Sequence, residues 1–301
     1  MSENRIVVVG SYNRDISLSV ARLPAPGETC LSRGRLDSPG GKGSNQAIQA
    51  ARAGASVAMV AAVGVDDAGD EAIALWTAEG VGTRGVARLA GVGTGMAMIL
   101  VDAAAENVIV VDSGANAHLS PAHVDAAANS IAASRLVLAQ LETPAAATIR
   151  AFELGRAAGA ATLLNAAPVP DRIDPALLAL ADILVVNEGE GQAISGHAET
   201  VAIGEHLAAR AALGVVVTLG ARGAMLFEPR RPARSLAPPA VEVIDTTGAG
   251  DAFVGAFAAR WAADGDAAAA LAWGVAAGAL ACTARGAAVS CPDAARIAAM
   301  V

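Results

Sequence analysis

Residues 245–257 read DTTGAGDAFVGAF, and the fold of the whole chain turns on what these thirteen residues do. Gly248 and Gly250 permit backbone angles and close approach that a side chain would block, and the spacing of Phe253, Val254 and Phe257 places a helix start near Gly250. The free N–H groups of such a start, with the helix dipole behind them, favour an anion, and phosphate is the natural guest. Asp251, in the first turn, is then odd company unless it has a chemical task. An alcohol that accepts a phosphoryl group must lose its proton as the bond forms, and a carboxylate within hydrogen-bond reach can take it. The same residues also fit an ordinary helix start, with Asp245 or Asp251 as the cap and the glycines making the turn.

A second glycine cluster, SPGGKGSNQAIQAA at Ser38–Ala51, again sets small residues before a helix and inserts Lys42 and Asn45. Glycines let the chain approach a small polyol closely, while an amine and an amide can hydrogen-bond its hydroxyls. The GxxxxGK[ST] spacing is absent, which disfavours a P-loop nucleotidase. Taken in isolation, Lys42 reads equally as a solvated turn lysine.

Composition sets the outer bounds. A chain of 301 residues can bury a large α/β core, and a formal charge of −8 argues against a broad basic face for nucleic acid. The mean hydropathy of +0.48 suggests a membrane protein, but the apolar runs Ile6–Val9, Val57–Val63, Leu136–Ala139 and Val215–Leu219 are strand-sized, well short of the about 20 residues needed to span a bilayer. Asn4 and Arg5 lead straight into a short β-like run, without the apolar segment of a signal peptide. Cys30, Cys282 and Cys291 are few, odd in number and without metal-ligand spacing. These features predict a cytoplasmic protein with no nucleic-acid or membrane partner.

Strand-like and helical runs alternate along the chain. Strands are expected at Ile6–Val9, Val57–Val63, Arg135–Ala139, Thr162–Asn165, Ile183–Val186 and Val215–Thr218. Helices are expected at Ser44–Ala53, Ala68–Glu79 with Trp76 inward, Ala145–Ala158, a segment ending near Arg210, Asp251–Trp261 and Ala267–Ala281. This βαβ rhythm predicts a mostly parallel sheet between helical layers. Ile16–Val20 with Thr29–Leu36, and Met96–Val101 with Asn107–Val111, break the rhythm and read as a small separate sheet, suited to cover a site or meet a partner. Pro229–Pro239 reads as a surface hairpin and its exit.

The two glycine stretches together resemble the signatures of the ribokinase-like (PfkB) family of carbohydrate kinases, GGKGxNxA at Gly40–Ala47 and DTxGAGDxFxGAF at Asp245–Phe257. Further markers follow in order: GSYNRD at Gly10–Asp15, PGET at Pro26–Thr29, GAN at Gly114–Asn116, QLE at Gln140–Glu142 and NAAP at Asn165–Pro168. NEGE at Asn187–Glu190, TLGARG at Thr218–Gly223 and RGAAVS at Arg285–Ser290 complete the series. The resemblance implies a three-layer α/β/α sandwich with a mostly parallel central sheet, one kinase domain over 1–301, and a β-sheet lid drawn from about 14–36 and 95–112.

It also implies roles. Asp251 is the general base, and the backbone of Gly248, Ala249 and Gly250 is the anion hole. Asn13, Asp15, Gly41, Lys42, Asn45 and Glu142 hold the sugar. Asn187, Thr218, Gly220 and Gly223 hold the adenine nucleotide, with Gly274 and Val275 on the helix beside the base. Asn187 and Glu190 order Mg2+ and its waters, although as residues they also make a helix capping box. Asp245, Thr247, Ala281, Ala284, Gly286 and Ser290 form a site for an activating K+. Met96 and Met98 either touch the sugar or simply pack the lid. The implied reaction is transfer from ATP to the primary hydroxyl of a pentose, D-ribose in the ribokinase branch, by a homodimer joined through its lid strands with Val20, Met96 and Met98 contributing. Tyr12, Asp112, Ser113 and Thr143 depart from that branch. They keep open 2-deoxyribose, fructose, ketodeoxygluconate, adenosine or a non-catalytic sugar-binding protein.

Overall fold

The computed structural model describes residues 5–104 and 106–301; Asn4, and Ala105 within the second lid stretch, lie outside them. The strands are β1 (Arg5–Val9), β2 (Asn13–Ser19), β3 (Gly34–Gly40), β4 (Ser56–Gly64), β5 (Gly82–Leu89), β6 (Met96–Val101), β7 (Asn107–Asp112), β8 (Leu136–Ala139), β9 (Ala161–Asn165), β10 (Ile183–Asn187), β11 (Gly214–Thr218), β12 (Ala224–Phe227) and β13 (Arg234–Leu236). The helices are α1 (Lys42–Arg52), α2 (Asp67–Ala78), α3 (Pro121–Ala126), α4 (Ala128–Ala132), α5 (Ala145–Ala157), α6 (Pro175–Leu180), α7 (Glu188–Ser195), α8 (Thr200–Ala208), α9 (Ala249–Asp264), α10 (Ala267–Ala281) and α11 (Ala294–Ala298).

Nine strands form one sheet in the order β13-β12-β11-β10-β9-β8-β1-β4-β5. From β11 to β5 every pairing is parallel, and only the β11-β12-β13 end is antiparallel. The apolar runs that read as strands have both faces covered, as parallel strands require. In β1, Ile6 and Val8 enter the core beneath α1, α2, α9 and α10, while Val7 and Val9 enter the core beneath α3 to α6 and α8. Trp76 is fully buried and donates from Nε1 to Oγ of Ser44 at 2.9 Å. Its ring meets that of Tyr12 edge-on, with centroids 5.6 Å apart. Tyr12 therefore packs behind the loop that follows β1, in the core.

The strand order reverses at β1, which has β4 on one side and β8 on the other. In such sheets a crevice opens beyond the carboxyl ends of the strands at the reversal. Tyr12 and Asn13 follow β1, Gln140 and Glu142 follow β8, and Asn165, Asn187 and Thr218 end β9, β10 and β11, so every one of these polar side chains is delivered to the same edge.

A separate four-stranded sheet has the order β3-β2-β6-β7, with β2/β6 parallel and the outer pairings antiparallel. Its third and fourth strands lie where the sequence places them. The strand expected at Thr29–Leu36 instead runs Gly34–Gly40, because Pro24, Pro26 and Gly27 (φ 85°) hold the preceding segment in turns. Pro39, unable to donate to a ladder, sits on this edge strand opposite Arg14. The helical segment ending near Arg210 is two helices, α7 and α8, separated where Gly196 turns left-handed at φ 75°. No helix among the described residues is long and apolar enough to cross a membrane.

Candidate active site

Helices α1 and α9 lie side by side, and glycine makes that possible. A Cβ on Gly255 would fall 2.6 Å from the carbonyl oxygen of Gln46 and from Cβ of Gln49, so only glycine permits this approach. One turn before Gly255 stands Asp251, 7% exposed. Asn45 donates from Nδ2 to its Oδ2, and Gln46 donates from Nε2 to its Oδ1, each at 2.9 Å. The carboxylate thus faces the crevice with both oxygens fixed from α1. Oδ1 of Asn45 is buried and has no partner among the described residues.

Two cavities meet at this point. One, about 140 Å3, is lined by polar groups of Lys42, Asn165, Asn187, Glu190, Thr218 and Asp251. The other, about 570 Å3, is mostly apolar, with walls from Pro238, Pro239, Val241, Phe253, Val275 and Ala279. Thr218 and Gly250 line both. An apolar slot opening past a glycine into a polar chamber suits a molecule with a flat heterocycle at one end and charged oxygens at the other. Gly220 (φ 58°) and Gly223 (φ 89°) also border the slot. Val275 lines it, whereas Gly274 packs against the ring of Phe253, where a Cβ would lie 3.0 Å from two ring carbons.

The start of α9 is shaped as its sequence suggests. Gly248 is the N-cap residue, left-handed at φ 76° with no side-chain cap, so neither Asp245 nor Asp251 caps this helix. The helix begins at Ala249, one residue before the expected start. A Cβ on Gly250 would meet nothing within 4 Å. What Gly250 keeps clear is the open space of the two cavities.

Around the amino end of α1, Gly41 (φ 86°) brings Lys42 against the β1–β2 loop. The Lys42 backbone N–H donates to Oε2 of Glu142 at 2.8 Å, and Ser11 Oγ also bonds Glu142. Burial opposes the Lys42 charge, but Asp251, Glu142 and Glu190 outweigh it and hold the ammonium above its ordinary value. Asp15 lies on β2 beside Gly40, where a Cβ would fall 2.2 Å from its Oδ2. Burial, then Glu142 and Asp251, push Asp15 up to about 7. Asn13, at the root of β2, accepts at Oδ1 from Nδ2 of Asn116 at 2.9 Å, leaving its own amide N–H groups for a ligand. Asn13, Asp15, Gly41, Lys42, Asn45 and Glu142 therefore surround one space, with Asp251 at its base.

Asn187 and Glu190 form a reciprocal capping box on α7: the Glu190 N–H donates to Asn187 Oδ1, and the Asn187 N–H donates to Glu190 Oε2, both at 2.8 Å. Both residues also line the polar cavity. Burial raises the Glu190 carboxyl above its usual range against the pull of the Asn187 N–H and Lys42, with Asp251 adding to the rise. Asp245 lies behind the Gly248 turn, accepting from Thr247 N and Gly286 N at 2.9 Å each. Burial alone would raise it, but these bonds hold it below the usual carboxylate range. Ala284 N–H reaches Ala281 O at 3.4 Å, and Ser290 Oγ donates to Ala287 O at 2.9 Å, so the residues expected around an alkali ion share one turn region. Among the described residues, no three His, Cys, Asp or Glu side chains cluster as a metal site.

Residues 3–294 match the family described as pfkB family carbohydrate kinase. The chain belongs to this family. The pfkB match covers nearly the whole chain, and individual relatives agree with it. The chain is 37% identical over 259 residues to a ribokinase of Mus musculus, covering 84% of this chain and 80% of that protein. It is 36% identical over 295 residues to a ribokinase of Haemophilus influenzae, covering 95% of each. The structure of Arabidopsis thaliana ribokinase complexed with ribose and ATP superposes with a TM-score of 0.89 at 29% identity, covering 100% of this chain and 99% of that one. Within this pfkB kinase the sequence reading passed over Gln46, Gln140 and Asn165 as individual side chains, although each joins the network beneath Asp251. Two polar residues in succession, Asn45 and Gln46, on an otherwise apolar helix face were the available signal.

Proposed function

We propose that this kinase transfers the γ-phosphoryl group of ATP to the primary hydroxyl of D-ribose, giving ribose 5-phosphate. The observation that carries this reading is the position of Asp251 at the junction of the two cavities, its carboxylate fixed by α1 and aimed at the space enclosed by Asn13, Asp15, Lys42 and Asn45. Asp15 accepts two neighbouring ring hydroxyls, and Asn45 both donates and accepts, as a vicinal diol requires. So held, the sugar presents its CH2OH to Asp251. The carboxylate takes the hydroxyl proton late, as the oxygen loses charge to the phosphorus. The N–H groups of Ala249 and Gly250 face the transferring group, and Lys42 offsets the repulsion between Asp251 and the phosphates.

Adenine occupies the apolar slot past Gly220 and Gly223. Oxygen donors and a partly paired carboxylate at Asn187 and Glu190 suit a hard divalent ion that keeps its waters, and Mg2+ there would neutralise phosphate charge. Asp245 and the carbonyls of its turn suit K+, which would brace the Gly248 turn from behind. The small sheet closes over the sugar and excludes water from the phosphoryl group, and the face it leaves uncovered pairs two copies of the chain.

Steady-state ADP release with ribose, 2-deoxyribose, fructose, ketodeoxygluconate and adenosine tests the reading. The highest specificity constant is expected for ribose. A value for a hexose or nucleoside more than about tenfold above it, ~1.4 kcal/mol of transition-state preference, reassigns the acceptor. Turnover of none of them replaces the kinase with a binding protein.

A further inference from the structure

We propose that Gln46 is a positioning residue for the base: it locks Oδ1 of Asp251 so that Oδ2 alone takes the acceptor's proton. This rests on Asp251 being the base. Gln46 is fully buried and cannot reach a ligand. All of its hydrogen-bonding groups on the side chain are committed. Its Nε2 donates to Asp251 Oδ1 and to Asn165 Oδ1, both at 2.9 Å, and its Oε1 accepts from Gln140 Nε2 at 2.6 Å. Asn165 in turn donates from Nδ2 to Val185 O at 3.2 Å. The amide therefore has one orientation only, because turning it over would set its carbonyl against two acceptor oxygens and its NH2 against the Gln140 amide.

The consequence falls on the two oxygens of the base unequally. Oδ1 is tied into a network anchored on the ends of β8 and β9, the rigid floor of the site. Oδ2 is bonded to Asn45, whose own Oδ1 remains unpaired and free for a sugar hydroxyl. The second lone pair of Oδ2 thus lies beside the group that orients the sugar. A carboxylate free to rotate would spread its basic lone pairs over a wide arc, whereas proton transfer needs one of them in line with the O–H. The donated bond from Gln46 also favours the ionised carboxylate. Charged or titratable groups near Asp251 from other elements are Lys42 on α1, Asp15 on β2, Glu190 on α7 and Cys291 near the carboxyl end. None of them makes a hydrogen bond to Oδ1.

The test compares Gln46→Met, Gln46→Glu and Asp251→Asn by kcat, KM for each substrate and the acid limb of the kcat profile. Binding of a non-hydrolysable ATP analogue and the circular dichroism spectrum serve as controls on folding. Gln46→Met removes the donor at similar volume, and Gln46→Glu keeps the Gln140 contact but sets a second carboxyl against Asp251. Both are expected to lower kcat by about tenfold to a hundredfold with little change in either KM. Both should also move the acid limb upward by about one pH unit or more, Gln46→Glu the further. A purely structural role would lower Tm and leave that limb in place, and an unmoved limb overturns the inference. Should neither Gln46 variant fold, Gln140→Leu, which frees the Gln46 carbonyl, decides in the same way: a raised limb supports the inference and an unmoved one overturns it. If Asp251→Asn turns over normally, the base assignment itself has failed. If it is inactive while the Gln46 variants keep the wild-type profile, only the role of Gln46 has.

Discussion

Gly248 is packed so closely on Ala287 that a methyl group at position 248 would lie 2.7 Å from the Ala287 Cα and Cβ. Two residues on, Gly250 has open space in the same direction of growth and an ordinary φ. The two glycines of the GAG motif are therefore required for different reasons. Gly248 serves the fold of the turn, and Gly250 serves whatever enters the cavities.

Opposite outcomes follow for the two alanine variants. Gly248→Ala must place an L-residue at φ 76° as well as displace Ala287, costing at least about 1–2 kcal/mol for the left-handed backbone alone. Its Tm should fall. Gly250→Ala lies within α9, where alanine is the better helix former by about 1 kcal/mol. Its Tm should hold or rise while kcat/KM for ATP falls at least about tenfold, because the new methyl stands where the phosphates pass. Equal thermal destabilisation of the two variants would contradict this division of labour.

Asp245 and the turn behind Gly248 predict a response to monovalent ions. The carboxylate bonds the N–H groups of Thr247 and Gly286 and so ties the loop before α9 to the turn after α10. Turnover should be higher in K+ than in Na+ at equal ionic strength, and Asp245→Ala should flatten the difference while also lowering the basal rate. Rates indifferent to the ion would remove K+ from this site and leave the phosphotransfer geometry as it is.

How much of this was legible in the sequence depends on how local each signal is. The bounds of α10 and β6 follow from uninterrupted apolar runs, and β4 from a Val- and Met-rich stretch closed by Gly64. β5 carries no such run: its sequence GTRGVARL has two glycines and two arginines and pairs only along one edge. The start of β3 was misplaced because Thr29–Arg33 has strand-like composition, whereas the turns before it decide where pairing begins. Asp251, Asn45 and Lys42 were legible because glycines surround them. The contacts of Gln46 with Asn165 and of Gln140 with Gln46 span 119 and 94 residues of chain. Only the fold brings them together, so no spacing rule could have announced them. The apolar slot is similar, with walls from Ala237–Val243 that share no motif with α9 and α10.

The small sheet predicts a second copy. Every residue of β7 is exposed, with Val108, Ile109, Val110 and Val111 at 47–65%, and Met98 and Leu36 at 40% and 62%. Val20, expected among the contacts, is 4% exposed and belongs to the interior of the chain. An apolar edge strand of this kind is covered in a stable protein. Sedimentation at micromolar concentration should give a dimer, and Val110→Asp should give a monomer. A monomeric wild-type chain rejects the pairing.

Asp15 makes stability and sugar binding depend on pH in opposite senses. Burial, Glu142 and Asp251 lift its carboxyl from an ordinary 3.8 to about 7 in the folded chain. A folded value above the unfolded one means that the folded state binds the proton more tightly. The stability linked to Asp15 is therefore complete below about 3.8, declines as pH rises, and is lost by about 7. Asp15→Asn cannot pay that cost of ionisation, so its Tm should match or trail the wild type near pH 4 and exceed it at pH 8. Ribose acts in the other direction. Its hydroxyls donate to the ionised carboxylate, so binding below pH 7 must expel a proton, and affinity should rise towards pH 7 and level off above it. Calorimetry at pH 6 in two buffers of different ionisation enthalpy should detect that proton. A Tm difference between variant and wild type that is constant from pH 5 to pH 8, together with no proton release on binding ribose, would remove Asp15 from the sugar site.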